Sequence, residues 1–250
     1  WYSIYTFQCR RMARFVHGRV IFAGDAAHLV SPFGARGCNG GVADADNLGW
    51  KLEAIVSGTA SVALLESYNQ EAIAIADENI LNSTRSTDFM TPKSAISRTF
   101  RDAVLQLARH APFARPFVNS GRLSTAVSFP NSPALKPDVD DTDGWRGVPP
   151  GSPAIDAPLG EGWLLKDNLS HGRFTLLTNA WSEAIEFDGD VDIFDISKHG
   201  DSVLAGERYD LSPGSAYLIR PDQYVAARWR SPTLPQVTAA LQCATSGGSC

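Results

Sequence analysis

Paired thiols are the first thing this chain lacks. Its four cysteines, Cys9, Cys38, Cys243 and Cys250, include no Cys-x-x-Cys, which excludes thiol–disulfide catalysis, a chemistry that needs two close sulfurs. No His and Cys cluster has metal-ligand spacing, so no metal is expected, and sparse cysteine makes a reduced, cytoplasmic setting the default. No apolar run approaches the roughly 18 residues of a membrane span. The N-terminus, Trp1-Tyr-Ser-Ile-Tyr5, has neither the basic start nor the long apolar stretch of a secretory signal. Charge of one sign is missing too: 22 Lys and Arg against 27 Asp and Glu give a net charge of −5, with no basic stripe for nucleic acid. A starting Met is also absent, which reads as a piece cut from a longer chain.

What is present centres on Gly18-Arg-Val-Ile-Phe-Ala-Gly-Asp-Ala-Ala-His28, continued by Pro32-Phe-Gly-Ala-Arg-Gly-Cys-Asn39. The apolar run at 19–23 predicts a short buried strand, and residues 1–7 are aromatic enough for another. Asp25 follows at the strand end, where open α/β sheets bind ligands and a carboxylate can accept hydrogen bonds from sugar hydroxyls. Gly34, Gly37, Gly40 and Gly41 let backbone approach a flat ligand, and Pro32 and Phe33 offer rigid apolar surface to a ring. Taken alone, such a turn reads more readily as ordinary strand–turn–helix punctuation with Asp25 as an N-cap.

Helical spacing of Val42, Ala45, Leu48, Leu52 and Ile55 predicts a first helix ending near Gly58. A second is expected from Ser61 until Pro92 interrupts it. A third spans 94–110, with Ile96, Phe100, Ala103 and Leu107 on one face and Pro112 as its stop. Phe100, Phe113 and Phe117 could line a pocket or fill a core. Residues 131–158 collect prolines among Asp138, Asp140, Asp141 and Asp143, a linker or extended wrapping segment. Beyond it, strands are expected at 173–178, 191–196, 215–220 and 224–229, with a short helix at 181–187 and a closing helix from Leu234. The division is therefore 1–130, a linker 131–158, a small α/β domain 159–244 and a flexible tail 245–250.

The two strings above, together with Asp44-Ala-Asp-Asn-Leu-Gly-Trp-Lys-Leu52, resemble the FAD-binding aromatic hydroxylases, the single-component flavoprotein monooxygenases of phenol hydroxylase and hydroxyphenylpropionate hydroxylase type. The resemblance runs in order from Gly18 to Leu52 and more weakly through Leu64-Leu-Glu-Ser-Tyr68, where Glu71-Ala72 departs from the family's Glu-Arg. The family often has Gly-Gly-Gln-Gly-Met-Asn where this chain has Gly34-Ala-Arg-Gly-Cys-Asn39. An α/β fold is implied: the C-terminal part of a Rossmann-like, glutathione-reductase-type FAD domain with long helices. By this resemblance Gly24 and Asp25 hold the ribityl chain of FAD and Pro32 packs beside the ring. Gly34 and Gly37 shape the turn, and the N–H groups around Gly37, Cys38 and Asn39 face the pyrimidine edge. His28 is a packed, hydrogen-bonded structural residue, and no catalytic residue is assigned. Gly172-Arg-Phe-Thr-Leu-Leu-Thr178 and Ala216-Tyr-Leu-Ile-Arg-Pro-Asp-Gln-Tyr-Val-Ala226 resemble the thioredoxin-like domain appended to some of these enzymes.

The activity implied is hydroxylation of a phenolic or aromatic small molecule by O2 through a flavin hydroperoxide, with NAD(P)H as co-substrate. The alternatives are another FAD-dependent oxidoreductase (epoxidase, dehydrogenase or reductase) or a non-catalytic fragment. No Gly-x-Gly-x-x-Gly seat for the ADP half of FAD is present, so the N-terminal part of the same enzyme is an expected partner. Homodimerisation is left open.

Overall fold

The computed structural model describes residues 1–118, 126–136, 144–169, 172–182 and 191–247. Two units divide the chain: Trp1–Ala45 with Ala72–Ala126, and Asp46–Glu71 with Val127–Cys250.

The first unit begins with an exposed segment that forms no strand at residues 1–7, contrary to expectation. Strand β1 (Arg10–Arg11) pairs antiparallel with β4 (His28–Leu29), and β2 (Val16–His17) pairs antiparallel with β3 (Val20–Ile21). The apolar run at 19–23 is therefore one arm of a hairpin rather than a buried strand, and Val20 is 56% exposed. Gly18, at φ 60°, supplies the left-handed turn residue that folds the run back on its own neighbours. Helix α1 (Arg36–Val56) and helix α2 (Leu65–Met90) follow, and each contributes residues to both units. Gly58, at φ 82°, lies just past the end of α1, and Ser61 caps the short turn that leads into α2.

Helix α3 (Ala95–His110) is capped by Ser94, whose hydroxyl accepts from the Ser97 N–H at 3.1 Å, and Pro112 follows its end. The apolar stripe that could line a pocket or fill a core is not covered by the described residues: Phe100 is 65% exposed, and Ile96, Leu107, Phe113 and Phe117 are exposed with it. Amphipathic spacing shows that a face is apolar; it does not show what covers it. The four-residue helix α4 (Arg115–Val118) completes the described part of this unit.

The second unit is built on a four-stranded sheet. A small hairpin, β5 (Pro158–Leu159) and β6 (Gly162–Trp163), precedes β7 (Phe174–Thr178), β8 (Val191–Asp195), helix α5 (Val203–Tyr209), β9 (Ala216–Ile219), β10 (Val225–Trp229) and helix α6 (Leu234–Ser246). The sheet order is β10-β9-β7-β8, with β7 and β8 parallel and the other pairs antiparallel. Side chains alternate between its faces, as the pleat requires. Leu176 and Leu218 pack with Trp50, Leu64, Val237 and Ala240 on one side. Leu177, Tyr217 and Ile219 pack with Trp145, Leu164 and Tyr209 on the other.

The proline-rich stretch is tied to this sheet where it is described. Phe129 N–H donates to Gly151 O, Gly151 N–H to Val225 O, and Lys136 N–H to Ala226 O. Its acidic run, with Asp138, Asp140, Asp141 and Asp143, lies outside the described residues, as does most of the helix expected at 181–187. Helix α6 continues to Ser246, two residues into the expected tail, before Gly247 turns at φ 74°. Cys243 is buried, while Cys9 and Cys38 are free; Cys250 lies outside the described residues.

Candidate functional site

The chain leaves β3 through a 3-10 turn, Gly24–Ala26, and returns as β4. Gly24 has φ 56°, and a Cβ there would lie 4.0 Å from the Cα of Gly41, so the turn rests backbone to backbone against α1. Asp25 is exposed at its tip. It borders a cavity of about 750 Å³ within the first unit. The turn supplies Gly24 and Asp25, the following loop Ser31 and Pro32, and the first turn of α1 Arg36, Gly37 and Cys38. Residues Tyr5 to Gln8 form the remaining wall.

Of the seven predicted site residues, Gly24, Asp25, Pro32, Gly37 and Cys38 share this cavity, whereas Gly34 and Asn39 are not in its wall. Gly34, at φ 98°, shapes the approach to α1, and the Asn39 amide donates to Ala35 O at 3.1 Å. Ala35 takes φ 51°, a left-handed conformation that costs a residue with a side chain on the order of 1 kcal/mol. The first four N–H groups of a helix have no intrahelical acceptor and carry its positive dipole end, so an anionic or acceptor-rich edge is favoured beside Gly37 and Cys38.

Behind the turn lies a pair that sequence reasoning did not assemble. The fully buried Asp44, in the third turn of α1, accepts the Gly24 N–H at 2.8 Å and sits 2.7 Å from His28 Nε2, both through Oδ2. His28 is stacked on Phe15, with ring centroids 5.8 Å apart, which agrees with the packed role expected for it. Asp44 was visible only as part of a motif, because nothing local says that its partner stands twenty residues back.

Other residues of that motif face a buried charge cluster inside the second unit. The Glu71 carboxylate accepts from Arg220 NH1 at 2.7 Å, Arg220 NH2 at 2.9 Å, Lys51 Nζ at 2.8 Å, Asn47 Nδ2 at 2.6 Å and Ser132 Oγ at 2.5 Å. Asp222 accepts from Arg220 Nε at 2.9 Å, and Lys51 also donates to Asn47 Oδ1 at 2.8 Å. Two cations and two anions thus face each other in a buried cluster. Burial alone would raise the Glu71 carboxyl, but the charges and N–H donors of Arg220 and Lys51 hold it far below the usual carboxylate range. Burial lowers the Lys51 ammonium to about 8, with Glu71 pulling the other way.

The two shifts act at opposite ends of the pH scale. Glu71 binds a proton less readily folded than unfolded, so its contribution is complete above the ordinary carboxylate range and is lost as pH falls through and below it. Lys51 also binds its proton less readily folded, so its share of stability rises with pH between about 8 and 10.5. Chemical denaturation at pH 5, 4 and 3 should show a shallower loss in Glu71→Gln than in the parent; parallel slopes would contradict the assignment.

Among the described residues, no group of three His, Cys, Asp or Glu could hold a metal ion, and no helix is long and apolar enough to cross a membrane.

Comparison with known proteins adds the following. The family model "FAD binding domain" matches residues 1–83. A 3-(3-hydroxy-phenyl)propionate/3-hydroxycinnamic acid hydroxylase of Mycolicibacterium gilvum (strain PYR-GCK) is 30% identical over 96% of this chain and 47% of its own length. A 6-methylpretetramide 4-monooxygenase of Streptomyces rimosus is also 30% identical, over 97% of this chain and 47% of the relative. Among solved structures, the rebeccamycin biosynthetic enzyme RebC with reduced flavin superposes with a TM-score of 0.68 at 26% identity, covering 96% of this chain and 47% of that one. The chain spans about half the length of the curated relatives it matches.

Proposed function

We propose, from the premise that this chain carries part of an FAD-binding aromatic hydroxylase, that the cavity at Gly24 and Asp25 receives the ribityl chain and ring of FAD. The whole enzyme then hydroxylates a phenolic or aromatic small molecule with O2 and NAD(P)H. The observation that carries the reading is the cavity itself, in which the exposed Asp25 carboxylate and the first turn of α1 border one space of about 750 Å³. That size suits a large organic ligand. The backbone contact of Gly24 on Gly41 leaves the turn without side chains between them, which fits a close-lying cofactor.

When bound, FAD reduced by NAD(P)H supplies the activation of O2, and the protein contributes position, exclusion of water and electrostatics. Asp25 accepts hydrogen bonds from ribityl hydroxyls. Pro32 gives the ring a rigid apolar neighbour. The N–H groups at Gly37 and Cys38, with the helix dipole behind them, favour negative charge on the pyrimidine edge. The ADP seat belongs to an N-terminal part of the same enzyme outside this chain, in a cytoplasmic setting, and a homodimer is compatible with the reading.

Residues 159–244 are read as a thioredoxin-like support domain without thiol chemistry. The sheet order, with its parallel first pair and antiparallel second pair, supports this. Full-length protein carrying Asp25→Ala should bind FAD about 10- to 100-fold more weakly, since a hydrogen bond to a charged group contributes about 1.5–3 kcal/mol. Fluorescence titration of apoprotein with FAD measures this, and an unchanged Kd would sink the assignment of Asp25.

A further inference from the structure

Asp44 is the buried group that the reading above leaves without work. It lies in the first unit at zero exposure, and one of its carboxylate oxygens serves both the Gly24 N–H and the His28 ring. The other oxygen, Oδ1, has no hydrogen-bond partner among the described residues. His28 has little freedom to move: Phe15 stacks on it, and Gly40 lies so close that a Cβ there would come within 3.1 Å of His28 Cε1 and 3.2 Å of Asn79 Nδ2. One carboxylate oxygen therefore ties the start of the turn, through the Gly24 N–H, and the first residue of β4, through the His28 ring, to the same point on α1. Asp25 stands between these two anchors.

We infer that Asp44, with His28, is a positioning clamp for the Asp25 carboxylate: it fixes the turn to the helix and so sets the cofactor-binding geometry without touching the cofactor. The inference rests on the FAD reading of the cavity. Physically, the Gly24 N–H and the imidazole need an acceptor in a place closed to water, and a carboxylate gives shorter, stronger bonds than a neutral group. A turn of three residues held at its first residue, and two residues past its last, has little room to carry its middle side chain elsewhere. Gly24, at φ 56°, would otherwise be free to sample other conformations.

The test is a double-mutant cycle on the full-length protein, read as FAD affinity by titration of apoprotein, with thermal unfolding of the apo form measured alongside. Asp44→Ala is expected to weaken FAD binding at least tenfold. Asp44→Asn, which keeps an oxygen acceptor in the same place, should recover most of that loss. In an Asp25→Ala background the Asp44 substitution should cost less than twofold, because the side chain it positions is gone. Losses that multiply in the double variant would overturn the clamp, as would an unchanged Kd in a folded Asp44→Ala protein. Should Asp44→Ala fail to fold, Asp44→Asn takes its place in the cycle, with an expected loss of about threefold that disappears when Asp25 is Ala. If Asp25→Ala alone leaves FAD binding intact, the cofactor reading itself falls; if only the Asp44 variants leave it intact, the clamp falls and the reading stands.

Discussion

Replacing Glu71 by Gln should cost the second unit about 3–5 kcal/mol, the loss expected when one partner of a buried ion pair is removed. Five donors converge on the Glu71 carboxylate, and it is 1% exposed. Gln offers one acceptor oxygen and an NH2 group that points at donors it cannot serve. Arg220 then keeps Asp222 as its only carboxylate, and Lys51 keeps only the Asn47 oxygen, both at full burial. Arg220→Met should be comparably harmful, because it strands Glu71 and Asp222 together. The Tyr224 ring, whose centroid lies 5.5 Å from the Arg220 guanidinium, would also lose that cation, while Trp50 would keep only Lys51 at 5.6 Å. Urea unfolding followed by tryptophan fluorescence gives the comparison. A shift below about 1 kcal/mol for both variants would mean that water reaches the cluster, as it does for surface pairs.

The second large effect belongs to Gly147→Ala. A Cβ at this position would run into the carbonyl oxygen of Tyr209 and the hydroxyl of Tyr217. Those two atoms bond each other at 2.7 Å, and Trp145 Nε1 donates to the same carbonyl at 3.2 Å. Arg228 NH1 donates to Gly147 O at 2.7 Å, so the glycine backbone is held from the other side as well. Overpacking costs about 1–3 kcal/mol, and a buried hydroxyl left without its acceptor adds about 1–3 kcal/mol. The expected total is therefore roughly 2–6 kcal/mol by the same principles. Gly206→Ala is the control: nothing lies within 4 Å of its Cβ position, and it sits within α5. That substitution should be neutral or stabilising by about 0.5–1 kcal/mol. Equal melting temperatures for the two variants would show that the Tyr209 and Tyr217 network yields easily.

Features governed by local chemistry could be read directly from the order of the residues. Gly58 past α1, Ser94 and Pro112 around α3, and Gly24 with Asp25 after an apolar run act through their own φ angles, side-chain caps and missing N–H groups. Their effects reach only a few residues. The four strands of the second unit's main sheet were legible for the same reason, since short apolar and aromatic runs and the Pro221-Asp222-Gln223 turn are short-range signals. Which apolar surfaces are covered depends on the folded arrangement: the run at 19–23 pairs within its own hairpin, and the α3 stripe, whose pattern fits a pocket or a core, is not covered by the described residues. The folded arrangement also chose the partners of buried charge. Glu71 and Arg220 are 149 residues apart and Gly24 and Asp44 are 20 apart, separations at which propensity and spacing carry no information. A buried charge is stable only where its counter-charge and donors arrive in place, and that is a property of the folded arrangement rather than of any segment.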